Sequence, residues 1–171
     1  GYFNSFDGNA AKGIIRLNSD GTRDASFDMG SGFFYSSNNI PSITEIKVLD
    51  DGKILVAGQF VSYNGVSSKS LIRLQANGSV DTSFNIGTGF AINATAIGTV
   101  TAVKIQPDGK YLIGGNFNLI NDQNYKNIVR LNTDGSIDSS INFGSGFNSS
   151  VRAIDIQADG KTLVLGDFST Y

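Results

Sequence analysis

The sequence predicts an all-β fold made of about three propeller-type blades, each of four antiparallel strands. Three observations lead there. One unit recurs along the 171 residues. Asp-Gly and Asn-Gly pairs, the strongest short hairpin signals, punctuate that unit at regular intervals. The stretches between them alternate apolar and polar residues or are wholly apolar, and none sustains a helical period.

The repeat is clearest in a Gly-x-Phe element at Gly1-Tyr2-Phe3, Gly58-Gln59-Phe60, Gly115-Asn116-Phe117 and Gly166-Asp167-Phe168, at spacings of 57, 57 and 51 residues. The copies therefore run 1–57, 58–114 and 115–165, and a fourth begins over 166–171. Each copy opens its next strand with an apolar-Arg-Leu triplet around Arg16, Arg73 or Arg130. A turn follows at Asp20-Gly21, Asn77-Gly78 or Asp134-Gly135, and then a strand carrying Asp24, Asp81 or Asp138. A Gly-x-Gly-Phe element comes next at 30–33, 87–90 and 144–147. An alternating strand, a second Asp-Gly turn and an apolar strand close the unit, as in Ile46–Val48, Asp51-Gly52 and Ile54–Ala57.

The shared polar residues read as structural. A three-residue hairpin loop pairs Asn18 with Thr22 and so sets Arg16 opposite Asp24, with Arg73–Asp81 and Arg130–Asp138 following by the same spacing. A weak calcium site at Asn18, Asp20 and Asp24 is the alternative, since carboxylates at such spacing hold calcium elsewhere. Against it, the first position is Asn18, Gln75 or Asn132, and Asn77 replaces the central acid of the second copy. No other cofactor or metal site is expected. Gly-x-Gly-Phe lacks the helix that a dinucleotide fingerprint requires, so it reads as a strand exit with an aromatic plug between blades. Phe3, Phe60, Phe117 and Phe168 read as core, and Lys12, Lys69 and Lys126 as solvated loop ends.

The motif Ile-x-Arg-Leu-Asn-x-Asp-Gly-Ser-x-Asp-x-Ser, then Gly-x-Gly-Phe, Gln-x-Asp-Gly-Lys and Gly-x-Phe, resembles the delta-60 repeat family, most clearly over 127–171 and 70–117. Ile141 stands where that family usually has Phe, and Leu49-Asp50 replaces Gln-Pro. The resemblance implies propeller-like repeats of large bacterial surface and secreted proteins or of phage structural proteins. It therefore implies an extracellular, cell-surface or virion location. It brings no catalytic residues.

Composition narrows the function classes. There are no cysteines, which excludes disulfides and thiolate sites, and no histidines, which removes the commonest general base and metal ligand. Lys and Arg number 13, are scattered, and leave a net charge of −2, so no basic nucleic-acid footprint exists. No apolar run reaches 18 residues, so no membrane-inserting helix is expected. The sequons at Asn77, Asn93 and Asn148 matter only in a glycosylating source. The non-repeated acids Asp7, Glu45 and Asp122 have no evident partner for catalysis.

Ligand contacts are expected where the copies differ. In an up-and-down blade both short turns lie on one face, and the connections 4–13, 61–70, 118–127, 34–45, 91–102 and 148–153 lie on the other. That face holds the candidate binding residues Phe6, Tyr35, Asn38, Asn39, Tyr63, Asn64, Asn121, Asn124 and Tyr125, whose planar amides and rings suit carbohydrate or protein. The sequence thus points to a non-catalytic binding, adhesive or structural module, tail-fibre-like in a virion. A propeller hydrolase or lyase and a passive spacer are the alternatives. The strands amount to three blades, below the four to eight of closed propellers. The expectation is a longer propeller, or an assembly of several chains.

Overall fold

A computed structural model describes residues 3–36 and 39–171. The strands begin with β1 (Ser5–Phe6), β2 (Asn9–Ala10), β3 (Phe33–Phe34), β4 (Ser42–Val48), β5 (Ile54–Gln59), β6 (Ser62–Tyr63), β7 (Val66–Ser67) and β8 (Leu71–Leu74). They continue with β9 (Phe90–Ala91), β10 (Thr99–Ile105), β11 (Tyr111–Asn116), β12 (Leu119–Ile120), β13 (Gln123–Asn124), β14 (Ile128–Leu131), β15 (Val151–Ile156) and β16 (Thr162–Gly166). No helix occurs among the described residues.

Two kinds of sheet result. The blades are antiparallel: β4–β5–β8, then β10–β11–β14, then the pair β15–β16. In the first, Val48 faces Ile54 across the turn at Asp51-Gly52, and Ile54 faces Leu74 on the other side. The second repeats this register with Ile105, Tyr111 and Leu131. The central strands are apolar because both their faces are covered: Ile54 to Gly58 are all buried, as are Tyr111 to Gly115.

The fourth strand of each blade is shorter than the pattern suggests. It shrinks to one bridge, Leu17↔Arg23, Leu74↔Val80 or Leu131↔Ile137. The cause is local. One carboxylate oxygen of Asp24, Asp81 or Asp138 accepts the backbone N–H of the serine two residues on. That Asx turn diverts the backbone from the ladder.

The second kind of sheet ties consecutive blades together. β3 pairs with β6 of the next repeat, and β6 pairs with β7, as Phe33↔Tyr63 and Tyr63↔Val66. β9, β12 and β13 repeat the arrangement. The connection between the second and third strands of a blade is thus a hairpin, not an irregular loop. Its turns are Asp7-Gly8, Asn64-Gly65 and Asn121-Asp122, all with positive φ, as two-residue hairpin loops of this type require.

The core lies in the seams. Leu55, Ala57 and Leu71 of one blade pack with Val103, Ile113 and Val129 of the next, closed by Phe84 and Phe90. Each Gly-x-Gly-Phe ring packs at a tilt or edge-on against the following Gly-x-Phe ring: Phe33 on Phe60 at 4.7 Å, Phe90 on Phe117 at 4.8 Å and Phe147 on Phe168 at 4.2 Å between ring centres. The glycine of Gly-x-Phe is required sterically. A Cβ on Gly58, Gly115 or Gly166 would overlap the carbonyl oxygen of Ser42, Thr99 or Ser150 on the neighbouring strand. In all three blades this close approach sits beside a bulge in the outer ladder.

Candidate binding face

The repeated charged residues occupy the end of the blades that carries the Asp-Gly turns. Arg73 Nε donates to Asp81 Oδ2 at 2.7 Å, with the two side chains 7% and 3% exposed. The same guanidinium donates to the Thr133 carbonyl of the next blade, to the Tyr111 hydroxyl and to Ser83 Oγ, and lies 4.8 Å from the centre of the Phe84 ring. Five donors on a rigid fork allow this; a lysine could not serve as many acceptors at once. Arg16 repeats the set with Asp24, Ser26 and the Ala76 carbonyl. Arg130 keeps Asp138 and Ser140.

Burial alone would raise the Asp81 carboxyl, but the Ser83 hydroxyl, Arg73 and the Ser83 N–H outweigh it and hold its pKa down to about 2. The Lys110 ammonium, 2.9 Å from Asp138 Oδ2, together with Ser140 holds Asp138 far below the usual carboxylate range. Lys110 and its counterpart Lys53, 3.5 Å from Asp81, add a second cation to each pair. The Asp-Gly-Lys motif was the signal for it.

These groups are engaged with one another, and among the described residues no buried side-chain polar atom lacks a partner. The proposed calcium ligands are similarly occupied. Asp20 Oδ1 accepts the N–H and hydroxyl of Thr22, and Asp24 takes Ser26 and Arg16. Asn18 turns its amide nitrogen towards Thr22 Oγ1. No group of three or more acidic, His or Cys side chains poised for a metal occurs among the described residues.

The hairpin region comprises β1–β2, β6–β7, β12–β13 and the segments between blades. Contrary to the up-and-down expectation it does not stand opposite all the turns, because β6–β7 and β12–β13 each fold back along the preceding Gly-x-Gly segment. Tyr63 thereby reaches the Asn77-Gly78 turn, and Phe6, Asp7 and Asn9 share a depression with the Asp20-Gly21 turn. The candidate residues of this region divide in two. Some are parts of the scaffold. Tyr63 is fully buried, and its hydroxyl donates to the Gly78 carbonyl at 2.9 Å, which removes it from the surface. Asn64 and Asn121 stand at the hairpin turns and accept the N–H of Ser31 and of Gly89, clasping the preceding Gly-x-Gly segment. Phe6 and Tyr125 are half-buried against the apolar clusters. Asn38 lies outside the described residues.

The others are open to solvent or partly so. Asn39 and Asn124 are exposed, and Tyr35 is half-buried. Around them stand apolar side chains that composition did not single out: Phe34, Ile40 and Val66, each about half exposed at 50%, 45% and 47%. A shallow depression runs between Phe34, Asn39 and Ile40, and another between Tyr125, Asn142 and Phe143.

One further scaffold position went unread in the sequence. Gly13, Ser70 and Asn127 share the left-handed region, at φ 83, 71 and 66 degrees. Where the glycine is replaced, the side chain acts as a clasp: Ser70 Oγ donates to the Gly98 carbonyl, and Asn127 bridges the Phe117 N–H and the Phe147 carbonyl. The preceding lysines matter through their backbones, since the carbonyls of Lys12, Lys69 and Lys126 accept the N–H of Phe33, Phe90 and Phe147.

Comparison with known proteins gives one result. A family model described as "Domain of unknown function (DUF5122) beta-propeller" matches residues 1–27, 49–84 and 106–140, more than half of the chain. No curated protein and no solved structure gives a significant match. The matched segments hold the three Arg–Asp hairpins, and with Arg16 and Arg73 the side chains that reach the Ala76 and Thr133 carbonyls of the next blade. The chain therefore belongs to the DUF5122 β-propeller family, whose function is unknown.

Proposed function

We propose that the protein is a non-catalytic recognition or structural module of the delta-60 repeat type, displayed on a cell surface or virion appendage, which meets a carbohydrate or protein partner through its hairpin-bearing face. The supporting observation is a division of labour between the residues the repeats share and those they do not. The recurring Arg and Asp residues are paired with each other, and Arg16 and Arg73 also with the backbone of the next blade. Around the hairpins, Phe34, Ile40 and Val66 stand exposed, as do Asn39 and Asn124. Rings and planar amides on a rigid scaffold match sugar faces and peptide surfaces.

The test is a glycan array and a cell-surface binding assay with the purified chain. The variants Phe34→Ala and Asn124→Ala alter exposed side chains and should leave the melting temperature within a few degrees. On this reading they lower the bound signal at least about tenfold, the equivalent of about 1.4 kcal/mol. Retained binding in both, or no binding by the parent chain to any displayed glycan or surface, rejects it.

A further inference from the structure

The binding reading makes no use of the sequons at Asn77, Asn93 and Asn148. Asn-x-Ser/Thr accepts N-linked sugar, provided a transferase can take up the asparagine amide together with the hydroxyl two residues on. The fold treats the three sites differently.

Asn77 is fastened into a seam. Its backbone carbonyl accepts the N–H of Asp28, from the preceding repeat, at 2.8 Å. The next residue, Gly78, is buried, and its carbonyl accepts the Tyr63 hydroxyl at 2.9 Å. A Cβ on Gly78 would overlap the Asp28 carbonyl. Laying Asn77-Gly78-Ser79 in an enzyme groove therefore means opening the seam. Asn148 is withdrawn in another way. Its Nδ2 donates to Ser169 Oγ at 3.0 Å, and its Oδ1 accepts the N–H groups of Ser169 and Thr170 at 2.9 and 3.1 Å. Both ends of that amide are engaged.

Asn93 differs on each count. Residues 93–96 form the tip of the connection between β9 and β10, and all four are exposed. The base of the tip is fixed. Ile92 N–H donates to the Ala96 carbonyl at 2.8 Å, Ala91 bridges Ile97, and Asn118 Nδ2 donates to the Ile92 carbonyl at 3.0 Å. Above that base, residues 93–96 make no hydrogen bond to another repeat among the described residues. Asn93 Oδ1 accepts the N–H groups of Thr95 and Ala96 at 3.0 and 2.9 Å and the Thr95 hydroxyl at 3.0 Å. This Asx turn gathers the amide and the hydroxyl of the sequon on one exposed tip. It leaves Asn93 Nδ2 without a protein partner among the described residues, flanked only by the methyl groups of Ala94 and Ala96. The scaffold does not need the tip, since the same connection in the third copy runs only over 148–153, against 91–102 here.

We propose that Asn93 is an N-glycosylation acceptor and that folding confines transfer to it. The donor is a sugar activated as a diphosphate ester, carried on a lipid or on a nucleotide. A bond forms between Asn93 Nδ2 and the anomeric carbon, and the bond from that carbon to the diphosphate oxygen breaks. The diphosphate leaves with the electron pair, and one amide proton passes to a base of the transferase. The Thr95 hydroxyl is the element the transferase reads. None of this requires the chain itself to recognise a glycan.

The test exposes the folded 171-residue chain to each donor class in turn. One arm uses a lipid-linked oligosaccharide with an oligosaccharyltransferase, the other UDP-glucose with a sequon-specific glucosyltransferase, and peptide mapping by mass spectrometry locates the sugar. In the arm that transfers, Asn93 should carry at least about tenfold more sugar than Asn77 or Asn148, because those two need local opening first. Synthetic peptides spanning the three sequons should all be modified. Thr95→Ala should abolish transfer to Asn93, and Thr95→Ser should restore it. An Asn93 left bare in both arms, equal modification of Asn77 or Asn148 in the folded chain, the same selectivity in the peptides, or transfer that survives Thr95→Ala overturns the proposal.

Discussion

Arg73–Asp81 and Arg152–Asp167 are ion pairs of the same length, each 2.7 Å from Nε to a carboxylate oxygen. The first lies in the seam between two blades, with side chains 7% and 3% exposed. The second lies on the last hairpin, with side chains 66% and 45% exposed. Water screens the hairpin pair and competes for its partners, so such a pair contributes about 0–1 kcal/mol. In the seam, loss of one partner leaves a buried charge that its remaining neighbours, such as Lys53 at 3.5 Å from Asp81, compensate only in part, at a cost of about 3–5 kcal/mol. Equal distances thus carry unequal energies, and position in the stack of blades decides which applies.

That contrast can be attacked at several depths. The largest effect is expected in the apolar part of the seam. Leu112→Ala removes a side chain that packs on Val151 and Ile154, and should cost about 2–5 kcal/mol in urea unfolding. A loss below about 1 kcal/mol would mean that the last blade contributes little to holding the seam.

Acid should reveal the buried carboxylate next. The Asp81 pKa is lowered from 3.8 to about 2, so its contribution is complete above pH 3.8 and disappears as the pH falls towards 2. The difference corresponds to about 2 kcal/mol. Unfolding free energies measured between pH 5 and pH 2 should show that step, and Asp81→Asn should flatten it. A profile unchanged by the substitution would detach Asp81 from acid stability.

A smaller loss, about 1–3 kcal/mol, is expected for Asn127→Ala, which orphans the Phe117 N–H and the Phe147 carbonyl and keeps a positive φ on a residue with a Cβ. Asn127→Gly should recover part of it, because Gly13 holds the equivalent position. The smallest effect belongs to Asn124→Ala on the hairpin face, within about 0.5 kcal/mol by thermal unfolding.

The strands, the turns and the Arg–Asp opposition were legible because each rests on near neighbours in sequence. A three-residue loop fixes which residues face each other, and a period of two fixes which face inward. The hairpins at Asn64-Gly65 and Asn121-Asp122 were legible in principle, but two-residue strands are too short to show alternation. Their pairing partner is a two-residue strand some thirty residues upstream. Tyr63 illustrates the consequence. Its counterparts are Phe6 and Ile120, so its variability suggested a surface position, yet all three sit against apolar clusters. The bridging role of Arg73 was invisible because the Thr133 carbonyl is sixty residues away and carries no side-chain signature. The exposure of Phe34, Ile40 and Val66 depends on which blade faces are covered, and that is set by the neighbouring blades and not by local pattern.

Side-by-side urea unfolding of Arg73→Ala and Arg152→Ala, at one protein concentration and neutral pH, is the most direct test. The account predicts a loss of about 3–5 kcal/mol for Arg73→Ala and no more than about 1 kcal/mol for Arg152→Ala. Losses of equal size would contradict it, because the repeated arginines would then be ordinary surface charges and not the fastening between blades.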